Sequence, residues 1–143
     1  MSDPAEIARN KAFLRTVIEE YWTTAAGLDE LAKHVAPGYR HHIGSFDATF
    51  EQFRSGVSLI QAYSPVLSYS VTHIIAEDDM YAVLLRSTIT HTGNAEGIAP
   101  TGKVIDVIGA YHCRIVDGMI AEDWDSWMIQ GVFTQLRAAI QSS

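Results

Sequence analysis

The sequence has little of what several common classes of protein require. It contains one cysteine, Cys113, among 143 residues, so neither an internal disulfide nor a cluster of thiolate metal ligands can form. No run of apolar residues approaches the roughly 18 that a membrane-spanning helix needs. Lys and Arg number 10 against 17 Asp and Glu, which gives a net charge of -7. This balance argues against binding to nucleic acid or to an anionic membrane surface.

The sequence does contain enough apolar residues to form a folded core. Apolar residues make up 48% of the chain, and the length predicts a single domain over residues 1–143. The first residues, Met1-Ser2-Asp3-Pro4, include no basic segment followed by an apolar run, so no signal peptide is predicted and the expected location is the cytoplasm.

Helical patterns occupy the first part of the chain and strand patterns the second. Asp3 is predicted to cap a first helix that ends at Gly27. The next predicted elements are a short helix over 28–34, a turn at Pro37-Gly38, an extended piece over 39–43 and a helix over 50–63. Strands are predicted over 66–76, 80–92, 103–116 and 119–127, with a closing helical segment over 132–140. This order indicates an α+β domain with helices packed on a mainly antiparallel sheet.

Asp117-Gly118 is the strongest hairpin signal in the sequence, and a two-residue turn there pairs Val116 with Met119. Continued without a bulge, this register predicts one mostly apolar face, on which Glu122 is the one charged group. A desolvated carboxylate has a raised pKa, which suits proton transfer near neutral pH. Glu122 is therefore a candidate acid–base residue, unless it pairs with a basic side chain. A bulge in the hairpin would exchange the two faces.

The histidines offer further candidates for proton transfer. On the opposite face of the predicted hairpin, His112 faces Asp123, an arrangement typical either of a base oriented by a carboxylate or of a surface pair. His41 and His42 are adjacent, so in a strand their side chains point in opposite directions. The spacing of the six histidines does not match that of metal ligands, and no metal site is predicted.

Several segments together resemble one known family. The segments are Tyr39 with His42, the loop His91-Thr92-Gly93 to Gly97-Ile98-Ala99-Pro100-Thr101-Gly102-Lys103, the hairpin from Arg114 to Trp124, and Gly131 with Gln135-Leu136. They resemble the SnoaL-like polyketide cyclases over about residues 39–136. The resemblance implies a nuclear transport factor 2-like fold, with a cone of helices on a strongly curved sheet and a homodimer through that sheet. It also implies a cofactor-independent enzyme that closes a ring by intramolecular aldol addition on a polycyclic carbonyl compound.

The resemblance also directs attention to particular residues. It adds His91 and His42 to Glu122 as candidate catalytic groups, as a base or as a donor to a substrate carbonyl. The alternative for each histidine is a structural hydrogen bond to loop backbone. The residues expected to line a substrate site are Tyr39, Tyr111, Trp124, Ser126 and Met128.

One position departs from the family pattern. Where the family has an aspartate that acts as acid and base, four residues after Trp124, this chain has Met128, which cannot transfer a proton. Two interpretations therefore stay open: a cyclase or isomerase that uses another proton-transfer group, and a non-catalytic or hydroxylase-type member of the same fold.

Overall fold

The computed structural model describes residues 3–64, 67–94, 97–126, 134–135 and 137–138. Three α-helices of four residues or more lie within these ranges: α1 (Pro4–Glu19), α2 (Ala25–Ala32) and α3 (Phe50–Tyr63). A short 3-10 turn, Tyr21–Thr23, joins the first two. The described residues of the predicted closing segment, 134–135 and 137–138, are helical, and the rest of that segment lies outside the described ranges.

The helix starts follow the signals in the sequence. Asp3 accepts a hydrogen bond from the Ala5 N–H, with Pro4 in the first helical position of α1. Thr49 and Gln52 form a reciprocal capping box at the start of α3, which satisfies backbone donors that a helix start leaves unpaired. Helix α3 has the bounds that the sequence predicts.

Six strands form one mixed sheet. They are β1 (Val35–Ile43), β2 (Phe46–Ala48), β3 (Leu67–Glu77), β4 (Met80–Thr90), β5 (Val104–Val116) and β6 (Met119–Asp125). Their order across the sheet is β2-β1-β6-β5-β4-β3. The pairing of β1 with β6 is parallel and every other pairing is antiparallel. The α+β prediction is thus confirmed.

The helices cover one face of this sheet and bury a single apolar core. Alternate residues of β5 are buried, among them Val107, Tyr111 and Cys113, as expected of a strand with one covered face. They pack with the inner faces of the helices, which supply Leu14, Ile18, Trp22, Leu28, Phe53 and Ile60.

The first helix ends earlier than the sequence predicts. Glu20 closes α1 and Thr24 begins α2 by accepting a hydrogen bond from the Gly27 N–H at 2.9 Å. Gly27 therefore lies inside α2 and is no helix stop. A Cβ at this position would lie 2.4 Å from the Tyr21 carbonyl oxygen, so the glycine permits a close approach of two backbone segments.

Two further local predictions are wrong in instructive ways. Pro37-Gly38 does not end a segment but lies within β1, where the register with β6 shifts between Val35 and Arg40 and Gly38 has a φ of +81°. Such an irregularity accommodates a proline that has no N–H to pair. The strand predicted over 80–92 is two residues too long, because β4 ends at Thr90 and His91 already belongs to the following loop.

The β5–β6 hairpin has the predicted turn and an unpredicted bulge. Asp117 and Gly118 both have positive φ, and Val116 pairs with Met119, as a two-residue turn requires. Ile115 then pairs with Ile120, but Arg114 pairs with Glu122. Ala121 is therefore the extra residue of a bulge, and every later residue of β6 lies on the face opposite to the predicted one.

Candidate active site

Asp123 lies at the centre of a buried polar group on the inner face of the sheet. The hydroxyl of Tyr39 donates to both of its carboxylate oxygens at 2.8 Å, and the hydroxyl of Tyr111 donates to Oδ2 at 2.7 Å. Nδ1 of His41 lies 2.5 Å from Oδ1. We call these four residues the Asp123 cluster.

Three adjacent strands assemble the Asp123 cluster. Tyr39 and His41 are two residues apart on β1 and therefore share a face. Asp123 on β6 is the register partner of His41 on one side and of Cys113 on the other. The bulge at Ala121 places Asp123 on this inner face.

The two tyrosines of the cluster are neutral hydrogen-bond donors. Burial, followed by the charge of Asp123, raises the pKa of Tyr39 and of Tyr111 far above that of a free tyrosine. Both hydroxyls therefore keep their protons at any physiological pH. Because a neutral hydroxyl and a carboxylate form a charge-assisted hydrogen bond, the tyrosines hold Asp123 in one orientation.

His41 presents its second ring nitrogen to the protein interior. The side chain is fully buried, and Nε2 has no hydrogen-bond partner among the described residues. A carboxylate only accepts hydrogen bonds, so Nδ1 is the ring nitrogen that bears the hydrogen and donates the hydrogen bond to Asp123. In the neutral ring Nε2 then has a free lone pair, and a proton taken up there forms an imidazolium next to the carboxylate. This is the arrangement of a general base oriented by an acid.

The ring of His41 belongs to a group of packed aromatic side chains. The ring centroid of Phe53, on α3, lies 4.7 Å from that of His41. Trp22 packs edge-on against Phe53, Tyr69 and Tyr111, with centroid separations of 6.1, 5.6 and 5.1 Å. Aromatic side chains thus pack next to the Asp123 cluster, and such flat apolar rings suit contact with an aromatic or polycyclic ligand.

The predicted position of Glu122 is wrong, because the bulge turns this residue to the outer face. There its carboxylate lies 2.6 Å from Nε2 of His42 and 3.6 Å from the Arg114 guanidinium. Nδ1 of His42 lies 2.6 Å from Asp47 of β2. Its hydrogen bonds to Asp47 and Glu122 raise the pKa of His42. Glu122 is thus half-buried and paired, the alternative that the sequence left open.

The predicted pairing of His112 with Asp123 is wrong for the same reason. His112 is the register partner of Trp124, and the two rings stack with centroids 5.0 Å apart. Trp124 also stacks on His42 at 5.2 Å, so its ring lies outside the core. Ser126 follows β6, is exposed, and donates its N–H to the Ala110 carbonyl. These residues lie away from the Asp123 cluster.

His91 is buried where β4 leads into the loop before β5. Its Nδ1 accepts a hydrogen bond from the Thr101 N–H at 3.2 Å and lies 3.0 Å from the Thr101 hydroxyl. Its backbone bonds to Lys103 and Gly102. These contacts match the structural alternative for His91, which fixes the end of the loop. Met128, the fifth predicted lining residue, lies outside the described residues.

His41 is the functional candidate that the sequence interpretation missed. A signal for it was present in the predicted strand over 39–43. Tyr39 and His41 are two residues apart and therefore lie on the same face of that strand, whereas His42 lies on the opposite face. The pairing with Asp123 had no sequence signal, since it depends on a bulge and on a parallel contact between distant strands.

Outside the Asp123 cluster, the described residues form a surface depression but no metal site. A surface depression of about 500 Å³ on α3 is lined by Glu51, Arg54, Ser55, Ser58 and Leu59. It lies on the helix face opposite to Phe53. Among the described residues no three His, Cys, Asp or Glu side chains converge to hold a metal ion. No described helix is long and apolar enough to span a bilayer.

Comparison with solved structures identifies the fold. AclR from Streptomyces galilaeus, a proposed hydroxylase, is 26% identical, with a TM-score of 0.80 over 92% of this chain and 97% of that one. A proposed SnoaL-like polyketide cyclase from a Jannaschia species is 21% identical, with a TM-score of 0.81 over 95% and 97%. A Catenulispora acidiphila protein with a ketosteroid isomerase-like fold is 16% identical, with a TM-score of 0.66 over 84% and 88%.

Sequence comparison agrees with the structural one. No protein of curated function matches the sequence significantly. The sequence profile of the SnoaL-like polyketide cyclases, by contrast, matches residues 12–136, which include the second half of α1, all of α2 and α3, all six strands and every residue of the Asp123 cluster. The nuclear transport factor 2-like fold expected from the sequence is therefore confirmed, and the chain belongs to the SnoaL-like polyketide cyclase family.

Proposed function

We propose that the protein is a cofactor-independent cyclase or isomerase in which His41 removes a proton from a carbon next to a carbonyl group of a polycyclic substrate. The observation that supports this proposal is the buried His41–Asp123 pair, with Nδ1 held by the carboxylate and Nε2 unpartnered among the described residues. A base held in this way needs no reorganisation when it takes up a proton.

The proposed reaction balances without a cofactor. The proton passes from the substrate carbon to Nε2 of His41, and the electron pair left behind forms an enolate. The enolate carbon then forms a carbon–carbon bond to a second carbonyl carbon of the same molecule. The resulting alkoxide takes the proton back from His41, so the product has the mass of the substrate.

Asp123 serves this reaction through His41. Its carboxylate stabilises the imidazolium that forms during proton transfer and keeps the ring oriented. Tyr39 and Tyr111 orient the carboxylate in turn. In this proposal His41, oriented by Asp123, takes over the acid–base function that the family assigns to an aspartate four residues after Trp124, where this chain has Met128.

The substrate class follows from the surroundings of Nε2. Phe53 packs against the His41 ring, and Trp22 packs against Phe53 and Tyr111, so aromatic rings lie next to the base, and buried aromatic faces favour flat apolar rings. Among similar structures, IdmH from Streptomyces antibioticus is a proposed polyketide cyclase, 21% identical, with a TM-score of 0.73 over 94% of this chain and 99% of that one. An aromatic polyketide carbonyl compound is therefore the proposed substrate.

A hydroxylase-type activity is the second candidate, and the similarity to AclR supports it. Such a reaction adds one oxygen atom to the substrate and needs an oxidant and a source of electrons. The mass of the product therefore separates the two candidates. A non-catalytic accessory role, the remaining alternative, gives binding without any product.

The deciding experiment incubates the protein with a panel of aromatic polyketide esters and ketones and analyses the products by liquid chromatography and mass spectrometry. In parallel, deuterium exchange at C1 of 2-tetralone in heavy water measures proton abstraction alone. We expect a product of unchanged mass, and His41→Gln to lower both rates at least about 100-fold. A product heavier by one oxygen, or no product and no exchange, would contradict the proposal.

Two carboxylate variants separate the inner face from the outer one. Asp123→Asn keeps the shape of the side chain but replaces one acceptor oxygen with a donor, so we expect proton transfer to fall with it. Glu122→Gln changes a carboxylate on the outer face and is expected to retain the exchange rate within about threefold, since it does not contact His41. Loss of exchange in Glu122→Gln alone would place the base on the outer face.

A further inference from the structure

Two more buried polar atoms on the inner side of the fold have no hydrogen-bond partner among the described residues. They are the indole Nε1 of Trp22 and the hydroxyl oxygen of Ser87. Trp22 is 3% exposed and Ser87 is fully buried. Native proteins leave few such groups unpaired, because each one has lost its hydrogen bonds to water. Each therefore requires a partner that the described residues do not supply.

The two groups lie beside the same residue. Trp22 packs edge-on against Tyr69, and Ser87 on β4 is the register partner of Tyr69 on β3. Both groups can donate a hydrogen bond. The indole N–H can only donate, whereas the hydroxyl can also accept. Two buried donors that have no partner in the described part of the chain therefore lie next to Tyr69.

The same rings connect these donors to the Asp123 cluster. Phe53 contacts both Trp22 and His41. Trp22 also packs on Tyr111, whose hydroxyl binds Asp123. One network of packed aromatic side chains therefore links the proton acceptor at His41 Nε2 to the hydrogen-bond donors of Trp22 and Ser87.

We propose that Trp22 and Ser87 form an oxygen-binding subsite, which donates hydrogen bonds to carbonyl or enolate oxygens of the substrate whose carbon His41 deprotonates. Enolisation moves negative charge from the reacting carbon to the conjugated oxygen. Donors that are already in place and shielded from water stabilise that charge. The catalytic role of this subsite rests on the proposed function, whereas its ability to bind an oxygen-bearing ring does not.

The occupant is therefore defined by its chemistry. It is an aromatic ring system that carries a carbonyl, enol or phenol oxygen, and a ring without oxygen leaves both donors unpaired. The subsite thus selects for oxygenation of the substrate and not only for its flat shape. A site that merely packs rings together does not make this distinction.

The test compares two ligands of nearly equal shape. 2-Naphthol mimics the enol of 2-tetralone and carries one oxygen, whereas naphthalene carries none. Titration calorimetry measures both affinities for the wild-type protein, for Ser87→Ala and for Trp22→Phe. We expect the wild type to prefer 2-naphthol, and each variant to lose about tenfold in 2-naphthol affinity while naphthalene affinity stays within about twofold.

Controls separate the subsite from general damage to the fold. Ser58→Ala removes a hydroxyl from the exposed face of α3 and is expected to leave both affinities unchanged. Ser87→Ala is expected to melt no earlier than wild type, because it removes a buried polar group that has no partner. The melting temperature thus shows that the variant is folded even where its ligand affinity is too weak to measure.

Three results would overturn the proposal. In the first, the wild type does not prefer 2-naphthol over naphthalene, or does not bind it. In the second, the variants lose equal affinity for both ligands, and in the third, both variants keep the wild-type affinity for 2-naphthol, as expected if these donors meet only internal water. Failure of the proposed function is recognised separately. His41→Gln would then retain deuterium exchange, whatever the binding of 2-naphthol to Ser87→Ala.

Discussion

His41 Nδ1 and Asp123 Oδ1 lie 2.5 Å apart across the parallel pairing of β1 with β6, and both side chains are buried. This is the one parallel pairing among the described strands. It joins residues 82 positions apart in the sequence, so the two candidate catalytic groups meet only once the sheet has formed. Burial removes competing water, which strengthens the interaction between the ring and the carboxylate.

The hydrogen bonds to Asp123 are expected to be stronger than an ordinary tyrosine hydrogen bond in the same core. Tyr111→Phe removes a donor to a carboxylate, and such bonds contribute about 1.5–3 kcal/mol to the free energy of unfolding. Tyr81 is equally buried, but its hydroxyl accepts from the neutral Asn10 amide at 2.9 Å. Tyr81→Phe is therefore the matched control, with an expected loss of about 1 kcal/mol.

Urea unfolding of the two variants measures this difference. Equal losses in Tyr111→Phe and Tyr81→Phe would mean that Asp123 is not a charged acceptor. Tyr111→Phe is also expected to slow deuterium exchange by a smaller factor than His41→Gln, since it acts on the base only through Asp123.

Local signals in the sequence predicted most of the fold. Asp3 marked the start of α1, and Asp117-Gly118 marked the last hairpin. These features depend on neighbours in the chain, where capping and turn chemistry act. The end of α1 was missed because its break depends on a backbone contact between Tyr21 and Gly27.

The candidate site could be predicted only in part. Tyr39 and Tyr111 were expected near a substrate, and both lie in the Asp123 cluster. Glu122 and Asp123 exchanged faces because a single extra residue, Ala121, shifts the register of β6. A one-residue slip reverses every later side chain of a strand, and no residue type in this hairpin marks where the slip occurs.

Two helical glycines are expected to respond to alanine in opposite directions. A Cβ at Gly27 would meet the backbone of Tyr21 at 2.4 Å, whereas a Cβ at Gly56 of α3 has no atom within 4 Å. Gly27→Ala is therefore expected to lower the free energy of unfolding by about 2 kcal/mol or more. Gly56→Ala is expected to raise it by about 0.5–1 kcal/mol, because alanine favours the helix. Thermal melts of both variants against wild type provide the measurement, and destabilisation by Gly56→Ala would contradict it.

Cys113 is expected to resist thiol reagents in the folded protein. Its side chain is fully buried, and burial, together with the charge of Asp123, raises the pKa of the thiol. The reactive thiolate is therefore scarce as well as inaccessible. Modification by a chromogenic disulfide should proceed only as fast as the protein unfolds, and it should become immediate in denaturant. Rapid modification without denaturant would show that the inner face opens readily.

The outer face of the sheet is expected to form the homodimer that the family resemblance implies. Ile75 of β3 and Ile108 of β5 are each 63% exposed there, and exposed aliphatic side chains on one face favour association. Ile108→Lys places a charge on this face without reaching the core. We expect it to lower the mass measured by light scattering from that of two chains to that of one. A wild-type protein that is already monomeric would contradict the prediction, as would an unchanged mass of the variant.

His42 is expected to make the protein more stable at mildly acidic than at alkaline pH. Hydrogen bonds to Asp47 on β2 and Glu122 on β6 raise its pKa in the folded state. The folded state therefore binds the proton more tightly than the unfolded state does. The resulting stabilisation is complete below the unfolded pKa of about 6.5 and is lost as the pH rises through the higher folded pKa.

The measurement is the melting temperature of wild type and of His42→Gln from about pH 5.5 to about pH 9, a range in which a histidine with a raised pKa loses its proton. The difference between the two proteins should be largest at the acidic end and shrink towards the alkaline end. Asp47→Asn removes one of the two acceptors and should reduce the effect without abolishing it, because Glu122 remains. A difference that grows with pH would mean that the neutral ring is the form the fold prefers, and the salt bridges at His42 would then not hold β2 to the sheet.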